Sequence, residues 1–168
     1  MNKLVLLLPV GLLLWVACGA SNNVTPTATP ASSQSPAALT EFANPELLVT
    51  SGWLEQHLGE ADVRVIDARS ESQYRDGHIP GAVNIPPSVL TDLNHPVAGM
   101  MVPFEQMVML LGDRGIRAEH RVVIYDAGNL MSAARLFWGM DLYGHQRLSV
   151  LDGGIAKWMA DSRAVAKV

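Results

Sequence analysis

The chain has 168 residues, of which 49% are hydrophobic and 17% charged; that is room for one domain of ordinary size, in a composition that folds rather than stays disordered. Sixteen acids against twelve bases, with no basic block, exclude a large nucleic-acid footprint. The single cysteine, Cys18, excludes an internal disulfide framework and zinc sites built on two or four cysteines, so any thiol chemistry of this chain has to use it.

Met1-Asn2-Lys3 is a short positive start, and Leu4 to Ala17 is an uncharged, Leu-rich run of fourteen residues. That length suits the apolar region of a signal peptide and falls short of the roughly 20 residues a membrane-spanning helix needs. The run ends at Trp15-Val16-Ala17-Cys18-Gly19, which resembles the lipobox of bacterial lipoproteins, with Trp15 where that family prefers Leu. The resemblance implies a lipoprotein-type signal over residues 1–18, with Cys18 lipidated and the protein held at the cell membrane outside the cytoplasm. Ordinary cleavage near Ala20, giving a secreted or periplasmic chain, is the alternative. Residues 19–43 are rich in Ser, Thr, Pro and Ala and carry no charge as far as Thr40. Such a stretch cannot bury enough apolar surface to offset its chain entropy, and is expected to be a disordered linker to a folded domain over residues 44–168.

Within that domain, Thr50 or Ser51 is placed to cap a short helix with Trp53, Leu54 and Leu58 on one face. Val63–Asp67 and Ala82–Ile85 read as short strands. Phe104, Met107, Val108 and Leu111 have helical spacing, and the helix stops at Gly112. Arg121–Tyr125 is a continuous apolar run suited to a strand covered on both faces. The turn Asp126-Ala127-Gly128-Asn129-Leu130-Met131 follows, then a helix from about Ser132 to Tyr143, a strand over Leu148–Leu151, and a last helix from Gly154 with Ile155, Trp158 and Met159. This alternation predicts an α/β fold with a mostly parallel sheet and helices on both faces. Ligand sites in such sheets lie beyond the carboxyl ends of the strands. The 126–131 turn therefore has two readings: backbone N–H groups converging on an anion, or a plain strand-to-helix connection with Asp126 as its capping residue.

Two segments carry a family resemblance. Val65-Ile66-Asp67-Ala68-Arg69, followed by Tyr74-Arg75-Asp76-Gly77-His78-Ile79-Pro80-Gly81-Ala82-Val83-Asn84-Ile85-Pro86, resembles the N-terminal signature of rhodanese domains. Leu151-Asp152-Gly153-Gly154-Ile155-Ala156-Lys157-Trp158 resembles their C-terminal signature. The resemblance implies a rhodanese-like three-layer fold with a five-stranded sheet. It also implies sulfur transfer, in which a cysteine takes sulfane sulfur from a donor such as thiosulfate, holds it as a persulfide and passes it on. The family's cysteine opens a six-residue loop, commonly Cys-Arg-x-Gly-x-Arg or Thr. Alignment on the strand ends places Asp126 at the cysteine, Ala127 at the arginine, Asn129 at the glycine and Met131 at the last polar position. A carboxylate cannot form a persulfide, so residues 126–131 are expected to be a vestigial loop with no catalytic residue in this chain.

Tyr125-Asp126, Ala133-Ala134-Arg135-Leu136-Phe137-Trp138 and Leu142-Tyr143-Gly144-His145 resemble the N-terminal half of tandem thiosulfate and 3-mercaptopyruvate sulfurtransferases, in which Asp characteristically replaces the cysteine. This implies a second rhodanese domain as partner, and a small sulfur-containing anion as ligand only once that domain completes the site. The other reading is a stand-alone, inactive binding or regulatory lipoprotein. No cofactor and no metal are expected: Asp67, Asp126 and Asp152 each end a strand, where capping a turn is the usual role. His78 is expected to order the turn before the second strand, and His57, His95, His120 and His145 to lie at the surface or cap turns. An aspartyl nucleophile at Asp126, similar to that of haloacid-type phosphatases, lacks its second Asp, because Gly128 stands two residues on. Met100, Met101, Met107 and Met109 are assigned to core and loop packing.

Overall fold

The computed structural model describes residues 43–168; the expected signal segment, Cys18 and all but the last residue of the expected linker lie outside them. Five strands form one sheet in the order β1-β5-β4-β2-β3, with β1 Leu48–Val49, β2 Val63–Asp67, β3 Val83–Asn84, β4 Arg121–Tyr125 and β5 Leu148–Leu151. Every strand pair is parallel. Three of the four predicted strands keep their predicted bounds. The predicted 82–85 strand narrows to two residues at the sheet edge, where only β2 is available as a partner. β1, also two residues long on the opposite edge, is too short to show a periodicity in the sequence.

Alternation along the two central strands builds two cores. Ile66, Val122 and Ile124 face α3 (Phe104–Gly112) and α4 (Met131–Leu142), where Met107, Ala133, Leu136 and Met140 are buried. Val63, Val65, Val123 and Tyr125 face α1 (Ser51–His57) and α5 (Gly154–Ala160), where Leu54, Ile155 and Trp158 are buried. Each such side chain removed from water stabilises the fold by about 1.5–3 kcal/mol. The α1 face behaves as its spacing predicts, with Trp53 and Leu58 packed beside Leu54. On α3 only Met107 is fully buried, and Phe104 and Val108 remain about half exposed because no further element among the described residues covers that side.

One helix has no counterpart in the pattern reading: α2, Glu71–Asp76. It buries no residue, so apolar spacing does not mark it. Its signal is a capping box, in which the Ser70 hydroxyl accepts from the Gln73 N–H while the Gln73 side chain accepts from the Ser70 N–H. Among the described residues, no helix is long and apolar enough to cross a membrane.

Candidate functional site

The chain leaves β2 through α2 toward β3 on one side, and leaves β4 through α4 toward β5 on the other. The loops that follow β2 and β4 therefore diverge, and a crevice opens at the carboxyl ends of these two strands. It is an open depression of about 410 Å³ whose lining includes Arg69, Ser70, Gln73, Ser88, Asp126, Ala127, Asn129 and Ser132. The structure thus brings the predicted loop to the place where a parallel sheet offers a ligand site.

Within the loop, the capping reading of Asp126 prevails over the anion-cradle reading. Asp126 is buried, and its Oδ1 accepts from the N–H of Gly128 at 2.8 Å and of Leu130 at 3.3 Å. Its Oδ2 accepts from the N–H of Ala133, in the first turn of α4, at 3.2 Å. Backbone donors that could have met an external anion are thereby occupied by the loop's own carboxylate. Asn129 adds a local turn by accepting from the Met131 N–H at 3.3 Å. Leu130 caps α4 in the left-handed region (φ 65°), and Met131, expected as the last loop residue, is the first helical one.

Gly153-Gly154 holds this loop from below. The Asp126 carbonyl accepts from the Ile155 N–H at 2.9 Å. A Cβ on Gly154 would lie 2.4 Å from that same carbonyl oxygen and 2.7 Å from the Gly128 nitrogen, and a Cβ on Gly128 would lie 2.8 Å from the Gly153 oxygen. The Leu151-Asp152-Gly153-Gly154 segment is therefore glycine-rich because two backbones meet there without side chains between them.

A second arrangement beside the loop was not assigned from the sequence. Asp67, at the end of β2 and fully buried, takes a two-pronged ion pair from Arg69, with Nη2–Oδ2 at 2.6 Å and Nε–Oδ1 at 3.0 Å. The Tyr125 hydroxyl donates to Asp67 Oδ2 at 2.7 Å and accepts from the Ile79 N–H at 3.1 Å. Arg69 Nη2 also donates to the Gly77 carbonyl at 2.7 Å. Burial and then the Asp67 charge drive the Tyr125 phenol far above its usual pKa. Burial opposes the Arg69 charge, but the hydrogen bond and charge of Asp67 outweigh it and leave the guanidinium pKa raised. Part of the signal was local, an Asp two residues before an Arg at a strand end, whereas the register that sets Asp67 beside Tyr125 belongs to the folded sheet. The consequence for chemistry is direct. Arg69 is the one cation lining the depression among the described residues, and its charge is already matched by Asp67.

The remaining candidates separate. His78 is buried, stacked on Tyr74 with ring centroids 3.9 Å apart, and its backbone pairs with Ala166. His120 and His145 depart from the surface expectation, because the segments leading into β4 and β5 fold inward and bury both. His120 still serves a turn, accepting from the Arg117 N–H at 3.0 Å. Met101 and Met107 are core residues, whereas Met100 and Met109 are exposed. Asp67 and Asp126 are each committed to their own partners, and Asp152 lies on the loop beyond β5. No cluster of three His, Cys, Asp or Glu suited to a metal ion occurs among the described residues.

Comparison with known proteins agrees with this geometry. The family model of the rhodanese-like domain matches residues 50–161. The chain is 32% identical over 123 residues to the 3-mercaptopyruvate sulfurtransferase of Escherichia coli K12, covering 67% of this chain and 44% of that protein. It is 34% identical over 132 residues to the thiosulfate sulfurtransferase of Corynebacterium glutamicum, covering 78% of this chain and 43% of that protein. The crystal structure of SseA from Escherichia coli, a 3-mercaptopyruvate sulfotransferase, superposes with a TM-score of 0.68 at 30% identity, over 73% of this chain and 50% of that one. The BH2092 protein of Bacillus halodurans, at 19% identity and a TM-score of 0.56, shares the fold. The chain spans about half the length of the curated relatives it matches. A crevice at the carboxyl ends of β2 and β4, a strand-to-helix loop resting on paired glycines and a matching family model together make this chain a member of the rhodanese-like domain family, homologous to sulfurtransferases.

Proposed function

We propose that this chain is the non-catalytic, N-terminal-type rhodanese domain of a sulfurtransferase acting on thiosulfate or 3-mercaptopyruvate, with the sulfur-carrying thiol on a second rhodanese domain. The observation that carries this reading is the state of Asp126. It stands where the resemblance places the family's cysteine, and both its oxygens are tied into the loop. It can neither accept sulfane sulfur nor free the loop donors for a sulfur anion. Two further observations support the reading. The chain spans 44% of the Escherichia coli and 43% of the Corynebacterium glutamicum sulfurtransferase. Beginning beside the Asp126 loop, α4 also leaves Leu130, Met131, Trp138 and Leu142 exposed, and a solvent-facing apolar row of this kind suits a partner domain. The lipobox resemblance adds a tether through Cys18 at the outer face of a cell membrane.

The test is a thiosulfate:cyanide transfer assay on the full chain and on its Cys18→Ser variant. Neither is expected to exceed the enzyme-free blank. Turnover that survives Cys18→Ser and disappears in Asp126→Ala would overturn the proposal. Sequencing the native transcript past the Val168 codon addresses the second domain, which requires a reading frame of about 120 further codons with a Cys-x-x-Gly loop after an apolar strand. A stop codon at that point favours the stand-alone binding lipoprotein. For the tether, Cys18→Ser is expected to move the chain from the membrane fraction to the soluble fraction of producing cells.

A further inference from the structure

At the end of the sheet opposite the Asp126 loop, a groove of about 370 Å³ runs between α3 and α4. Phe104, Val108, Leu111, Met140 and Tyr143 give it a mainly apolar lining, and its size is that of a small-molecule pocket. The Tyr143 hydroxyl is committed to the Val102 carbonyl at 2.6 Å. His145 also lines the groove, is nine-tenths buried, and its Nδ1 has no hydrogen-bond partner among the described residues. The other ring nitrogen, Nε2, lies 3.3 Å from the Arg117 carbonyl oxygen. A carbonyl only accepts, so Nε2 carries the proton and Nδ1 presents a lone pair. Burial, aided by the charges of His120 and Arg147 and opposed by the Arg117 carbonyl, holds the imidazole pKa below its ordinary value. The ring is therefore neutral at neutral pH, and a buried acceptor is left without a donor.

Buried acceptors are rarely left unpaired, and water needs two or more polar partners to settle in such a place. The apolar lining offers few. A ligand that brings one donor on a flat apolar body fits both features at once, and the T-shaped Phe104–Tyr143 pair, with centroids 5.6 Å apart, provides ring edges and faces against which an aromatic body packs. We propose that this groove binds a small aromatic molecule carrying a single O–H or N–H donor, a phenol or an indole, with its ring between α3 and α4 and its donor on His145 Nδ1. This site is separate from the sulfur-transfer reading, since it uses no residue of the Asp126 loop.

The experiment titrates the full chain with p-cresol and with 4-methylanisole, in which a methyl group replaces the donor hydrogen, and follows the ¹⁵N resonance of His145 Nδ1. Saturable p-cresol binding is expected, about tenfold tighter than that of the ether, with a shift of the Nδ1 resonance on binding. In His145→Phe the p-cresol affinity is expected to fall to that of the ether. Equal affinity for the two probes, binding that leaves Nδ1 unmoved, or no saturable binding of p-cresol would each overturn the proposal. If His145→Phe fails to fold, the two probes on the parent chain decide the question alone.

Discussion

Asp126 supplies the anion its own loop needs, and under the proposed function it also stands in place of the family's nucleophile. Three backbone N–H groups, of Gly128, Leu130 and Ala133, end on its carboxylate. Asp126→Ala strands them and is expected to cost about 2–4 kcal/mol in urea unfolding, the sum of several orphaned donors partly relieved by water. The emptied cradle should then accept an external anion, so added sulfate is expected to raise the melting temperature of the variant more than that of the parent. A loss under about 1 kcal/mol would mean that water already serves these donors. His145 supplies a second prediction at this scale. Its folded pKa lies below the unfolded value of 6.5, so in the interval between them the unfolded chain binds more protons and stability rises with pH. On acidification, stability should begin to fall near pH 6.5 and level off below the folded pKa. His145→Gln should flatten that limb, measured as urea midpoints across the interval; an unchanged limb would assign it to other groups.

At the scale of elements, the meeting of the β4–α4 loop with the start of α5 decides whether the site keeps its shape. Gly154 sits at φ 55° with backbone atoms of the neighbouring loop in the space a side chain would need. Gly154→Ala therefore combines a left-handed alanine with a collision against atoms that cannot rotate away, and is expected to lose about 3 kcal/mol or more. Gly81 has a similar conformation, φ 78°, with nothing within 4 Å of its added Cβ. Gly81→Ala is expected to lose only the conformational part, about 1 kcal/mol. Equal losses in the two variants, read from thermal or urea unfolding, would show that contact between the two loops contributes nothing. The elements themselves were unevenly legible. The β2, β4 and β5 runs are apolar because helices cover both faces of the sheet, and that pattern is local. α2 lies on the surface, and its only mark is the Ser70–Gln73 capping box. β3 was legible as a β-branched run and is cut to two residues at its edge, whereas β1 exists because β5 offers it an edge, which no short window of sequence contains.

For the whole molecule, the expected lack of thiosulfate turnover follows from chemistry distributed over distant segments. The one cysteine lies in the N-terminal segment, and Asp126 holds the position that the proposed function assigns to the family's nucleophile. The cation at the crevice is consumed by Asp67. The Asp67–Arg69–Tyr125 cluster also joins β2, β4 and the 77–79 turn into one unit, so the crevice has a rigid wall. Meanwhile Leu130, Met131, Trp138 and Leu142 stay exposed along α4, a surface that the proposed second domain would occupy.

Family membership and the order of the main strands and helices were readable from residue order, because each depends on a local pattern. The destination of the Asp126 carboxylate was not, since a carboxylate after a strand can face a ligand or turn back on its own loop, and the choice depends on where Gly128, Leu130 and Ala133 point their N–H groups. The pairing of Arg69 with Asp67 beneath Tyr125, and the burial of His120 and His145, likewise required the folded chain. Arg69 and Asp67 are neighbours in sequence, but Tyr125 reaches Asp67 from 58 residues away, and burial is a property of neighbours that only the packed sheet and its helices bring together.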